Sequence, residues 1–118
     1  MKPSPANETL DLVTATLDDD KAEDVVVIDL AGKTEFADYM VIATGNSARM
    51  VGAMSDHIVQ KLKTVGRKSI PVEGTPQNDW VLIDAGDIVV HLFRPEIRRF
   101  YELEKMWGGP VPKPGKAA

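Results

Sequence analysis

The stretch Asn78–Trp107, NDWVLIDAGDIVVHLFRPEIRRFYELEKMW, decides how this chain is read. Trp80–Asp84 and Ile88–Phe93 are short runs rich in β-branched and aromatic residues. Ala85-Gly86-Asp87 supplies a tight turn between them, so the two runs predict a β-hairpin. Pro95 suits the opening of a helix, and Gly108-Gly109-Pro110 ends it. Both tryptophans and six carboxylates fall in these thirty residues. No catalytic set falls there. Aromatics beside carboxylates, without a nucleophile, base or metal cluster, point to binding rather than to chemistry.

Upstream, Ser4-Pro5 reads as a helix cap and first helical position. Leu10, Val13 and Leu17 follow at helical spacing. Asp18, Asp19 and Asp20 oppose the helix dipole and mark a stop. Val25–Leu30, rich in β-branched residues, predicts a strand buried on both faces. Tyr39–Thr44 predicts a second buried strand. Gly45-Asn46-Ser47 turns the chain and caps a second helix, whose apolar stripe is Val51, Met54, Ile58, Leu62 and Val65. Gly66 suits the position just past its end. Ile70–Val72 predicts a short strand, at an edge because of Pro71. The order α-β-β-α-β-β-β-α predicts an α/β (α+β) fold, a mixed five-stranded sheet flanked by helices. One domain over residues 1–107 and a disordered Pro/Gly/Lys tail over 108–118 are expected.

The bulk numbers narrow the function. The chain has 118 residues, 43% hydrophobic and 27% charged, with net charge −4. The densest basic group, Arg94, Arg98, Arg99 and Lys105, is interleaved with glutamates, so no direct nucleic-acid readout is expected. An acidic surface suits a basic protein partner. The absence of cysteine excludes disulfides, thiolate catalysis and Cys-based zinc sites, and fits the cytoplasm. The start, MKPSPANETL, lacks the apolar core of a signal peptide. No apolar run approaches the ~20 residues needed to cross a bilayer.

Each remaining motif has a functional and a plain reading. Gly45-Asn46-Ser47, between a strand and a helix, is either an anion cradle or a turn with an N-cap; it matches no phosphate-loop spacing. Asp84 and Asp87 are a magnesium pair or, because Gly86 separates them, parts of a hairpin turn. His57, off the apolar stripe, reads as solvated. His91 shares strand parity with Val89 and Phe93 and reads as a hydrogen-bonded structural residue or an interface residue. Trp80, Leu82 and Asp84 share one strand face, and Val81 and Ile83 the other. The second set reads as core. The first mixes aromatic, aliphatic and acidic groups, which suits a contact surface, or a tryptophan covering the sheet edge. On the closing helix, Ile97, Phe100, Leu103 and Trp107 form the inward stripe. Tyr101 lies on its flank as an interface anchor; Glu104, close to the inward stripe, either needs a partner within the fold if buried or waits at the rim for a basic residue of another protein.

Asp38–Ser47, DYMVIATGNS, resembles the "DYFVIATGNS" signature of the ribosomal silencing factor (RsfS, or Iojap) family. Glu73-Gly74, Asp79–Asp84 and Gly86–His91 resemble its second block, and Arg99–Trp107 its third. Met40 stands where an aromatic is common. The resemblance implies a nucleotidyltransferase-like fold without that fold's active site, hence no enzyme and no cofactor. It implies binding to the large ribosomal subunit through its protein fourteen, a block on joining of the small subunit, and repression of translation when nutrients are scarce. It also implies a link to large-subunit maturation, and homodimers when free. Trp80 and Tyr101 correspond to contact residues of the family. Leu82 extends the apolar contact. Asp79, Asp84 and Glu104 would face cations of the partner, with His91 beside them. The rival reading is a nucleotidyltransferase using Gly45, Ser47 and carboxylates.

Overall fold

The computed structural model describes residues 5–30 and 37–97. Seven elements follow in chain order: α1 (Pro5–Asp19), β1 (Glu23–Asp29), β2 (Tyr39–Thr44), α2 (Ala48–Thr64), β3 (Val72–Glu73), β4 (Trp80–Asp84) and β5 (Ile88–Phe93). The strands form one mixed sheet in the order β1-β2-β5-β4-β3. β2 and β5 run parallel at its centre, and the other neighbours pair antiparallel. The sequence order of these elements agrees with the expected one. A helical turn opens at residues 95–97; the rest of the expected closing helix and the tail lie outside the described residues.

Both described helices cover one face of the sheet. Val13 and Leu17 of α1 join Val51, Met54, Ile58 and Leu62 of α2 over Val41, Ala43, Val81, Ile83, Val90 and Leu92. All of these are buried, so the stripe read from helical spacing is the core stripe. Val65 departs from it. It is the C-cap of α2 and is 61% exposed. The helix stops there because Gly66 takes a left-handed φ of 98°, and the Arg67 N–H turns back to the Leu62 carbonyl at 3.1 Å. α1 ends the same way without a glycine. Lys21 is left-handed at φ 60°, and the Ala22 N–H reaches the Leu17 carbonyl at 2.9 Å. Asp20, just past that end, pairs with His57 of α2 at 2.7 Å, so His57 is half-exposed and partnered rather than merely solvated.

β1 corrects a second expectation. It lies at the sheet edge, not between two strands, and Val25 and Val27 are exposed, Val27 by 43%. Val27 is opposite Val41 and so faces the helix side, at the margin of what α1 and α2 cover. Its register with β2 shifts between Glu23 and Val26, and Asp24 is left-handed there. A bulge of this kind twists an edge and discourages pairing with another chain. β3 forms the other edge. Pro71 precedes it and uses only its carbonyl, which accepts the Asp84 N–H at 3.0 Å.

The face away from the helices carries a second apolar cluster. Ile28, Leu30, Ala37, Met40, Ile42 and Phe93 are buried in it, with Val26, Trp80, Val89 and Ile97 against its rim.

Candidate protein interface

The hairpin fixes the geometry of this second face. Register places Trp80 opposite Phe93, Leu82 opposite His91 and Asp84 opposite Val89. Because pleat parity is shared across a ladder, all six project to the side away from α1 and α2. Val81 and Ile83, between them, are fully buried on the helix side. The two-faced reading of β4 therefore holds. Gly74 secures the start of the strand. It has a φ of 98°, and a Cβ there would collide with the Trp80 carbonyl.

Trp80, His91 and Phe93 form one ring cluster. Trp80 stacks on Phe93 with centroids 5.1 Å apart and planes at 29°. His91 lies nearly coplanar in tilt with Phe93, at 6.1 Å and 9°. The indole Nε1–H of Trp80 donates to Nδ1 of His91 at 2.9 Å. His91 is only 8% exposed, and burial lowers its pKa from 6.5 to about 4, so the ring is neutral at pH 7. Trp80 and Leu82 are half-buried, and Asp84 is exposed. An aromatic cluster grading into carboxylates is the composition of a contact patch with a polar rim.

The carboxylates of this patch have partners in their own chain. Asp79 forms an ion pair with Nε of Arg94 at 2.7 Å, and its carbonyl accepts the Arg94 N–H at 3.1 Å. Arg94 also reaches Glu96 at 3.4 Å. Asp84 accepts the Gly86 N–H at 2.9 Å, a local turn bond. Phe93 and Arg94 are members of the patch that sequence reasoning did not single out. The hairpin register could have found both, since residues flanking the Trp80–Phe93 pair must also lie opposite each other. Tyr101 and Glu104 lie outside the described residues.

The residues of the rival enzyme reading are held in structural roles. Ser47 is the N-cap of α2 and accepts the Met50 N–H at 3.1 Å. Gly45 donates its N–H to the Phe93 carbonyl at 2.9 Å, and a Cβ there would press within 2.9 Å of Met54 Cε. Asp87 lies 3.6 Å from Arg67, which also donates to the Ala85 carbonyl and to Thr9 Oγ1, both at 2.7 Å. Among the described residues, no group of three or more His, Cys, Asp or Glu could hold a metal ion. No helix among them is long and apolar enough to cross a membrane.

Residues 3–116 match the model of the family described as "Ribosomal silencing factor during starvation". The chain belongs to the ribosomal silencing factor family. It is similar to the ribosomal silencing factor RsfS of Zymomonas mobilis, 54% identical over 99 residues that make up 84% of this chain and 74% of that one. The mouse protein named "Mitochondrial assembly of ribosomal large subunit protein 1" is 35% identical across 91% of this chain, which spans 50% of its length. The crystal structure of a Chromobacterium violaceum protein superposes with a TM-score of 0.86 at 36% identity, covering 93% of this chain and 92% of that one. That likeness places the mixed sheet among solved folds, and the family relatives carry regulatory names rather than enzymatic ones.

Proposed function

We propose that this silencing-factor chain binds the large ribosomal subunit through its protein fourteen and keeps the small subunit from joining by occupying the space it needs. Translation is thereby held down under nutrient limitation. The observation that carries the reading is the half-buried pair Trp80 and Leu82 on the side of the sheet away from α1 and α2, backed by the buried Phe93 and His91 and bordered by Asp79 and Asp84. A half-buried tryptophan stacked on a buried phenylalanine is a rigid apolar anchor, the type of residue that dominates binding energy at protein interfaces. The acidic rim and the net charge of −4 suit a cationic partner. Tyr101 and Glu104 are proposed as further partner-binding residues, and no chemistry is required of the patch. The mouse relative's name supports a second role in large-subunit maturation. A cytoplasmic location and homodimers of the free protein belong to the same proposal, as does a single unit over residues 1–107.

The test is co-sedimentation with separated large subunits, followed by a subunit-joining assay. Trp80→Ala should weaken binding by roughly 2 kcal/mol, about thirtyfold, and release the block on joining in proportion. Parent-like co-sedimentation of that variant would refute the interface.

A further inference from the structure

The polar end of Trp80 is used inside the chain. Its Nε1–H meets Nδ1 of His91 at 2.9 Å across the hairpin diagonal, while its ring lies on Phe93. An imidazole that accepts at Nδ1 and is neutral carries its proton on Nε2. Only one of the three protonation forms of His91 therefore supports the contact. The surroundings disfavour the charged form. Ile42 and Leu82 are its strand neighbours, Trp80 and Phe93 its ring neighbours, and burial disfavours the charged form. The nearest carboxylate on this face along β4 is Asp84, which is exposed and bonded to the Gly86 N–H. No described cation or carboxylate is bonded to the His91 ring.

We propose that His91 is the positioning residue of the interface: by accepting the indole N–H it holds Trp80 in the one orientation that presents the ring as docking surface. This rests on the interface proposed above. A tryptophan has two broad torsions to settle on binding, and a neighbour that settles them beforehand reduces the ordering cost. The hydrogen bond adds a directional restraint to the stack on Phe93. The same bond leaves no indole donor for the partner to satisfy.

Two variants separate the acceptor from the ring. His91→Phe keeps an aromatic ring of similar size and loses the acceptor. His91→Asn places an amide oxygen near the former Nδ1. In the free, isotope-labelled protein, the Trp80 indole N–H signal is assigned by its loss in Trp80→Phe. Its exchange with solvent should be faster in His91→Phe and close to the parent's in His91→Asn. Binding to large subunits should weaken about threefold to tenfold in His91→Phe, the span of one net hydrogen bond, and recover in His91→Asn. Unchanged indole exchange in His91→Phe would overturn the inference, as would parent-like binding by that variant. If His91→Phe fails to fold, the ring nitrogens of the parent decide: Nδ1 unprotonated and Nε2 protonated supports the proposal, and the opposite tautomer refutes it. Trp80→Ala binding like the parent would instead remove the interface itself. The indole exchange of the free protein is read without ribosomes, so the two failures are told apart.

Discussion

At the residue scale, His91 couples the face to acidity. Its pKa is about 4 in the folded chain against 6.5 for an unburied imidazole. Between those values the unfolded chain binds more protons than the folded one, so stability rises with pH through that window. Above 6.5 the contribution is complete. As pH falls from 6.5 toward 4 it is lost, by at most about 3 kcal/mol. Denaturant titrations from pH 7 to pH 5 should show this slope in the parent and a flatter one in His91→Phe. Equal slopes would mean that the imidazole is solvated after all. Part of this was legible beforehand: the parity of β5 already grouped His91 with Val89 and Phe93. The indole bond was not, because a diagonal contact depends on side-chain torsions that register leaves open. His57 shows the same limit more sharply. Its partner Asp20 lies 37 residues away, just past the end of another helix.

At the element scale, strand position decides what a side chain is worth. Val25–Leu30 announced a strand through its β-branched residues, and that part holds. Its burial did not follow, because local pattern fixes the conformation of a strand but not its place in the sheet. Only the pairing of β2 with β5 shows β1 to be an edge. The consequence is measurable. Val27→Thr should change stability by no more than about 0.5 kcal/mol. Ile83→Ala, in the fully buried half of β4, should cost about 2–5 kcal/mol. Equal losses in chemical denaturation would contradict the edge assignment. β4 shows the opposite case. The alternation Trp80, Leu82, Asp84 against Val81, Ile83 has the sheet's own period, so the buried half and the outward half could be told apart from the sequence. The Gly45-Asn46-Ser47 segment stayed ambiguous in sequence because a cap and an anion cradle use the same residue types. The Ser47–Met50 bond supports the cap.

At the scale of the whole molecule, the net charge of −4 acts before contact is made. Opposite charge speeds encounter and is screened by salt, so raising ionic strength should slow association with large subunits while leaving dissociation nearly unchanged. Rapid-mixing kinetics at low and high salt would check this; a salt-independent association rate would argue against a cationic partner. Among the described residues, α1 and α2 lie on one side of the sheet and the ring cluster on the other. Arg67 fastens the helix side: one guanidinium grips Thr9 of α1, the Ala85 carbonyl of the hairpin turn and, at longer range, Asp87. A doorstop works only if it does not crumple when the door is pushed. On the proposed docking, the bolt from the first helix to the far end of the hairpin stiffens the plate behind Trp80, so that a load arriving from outside would be passed to the bound surface instead of bending the wedge.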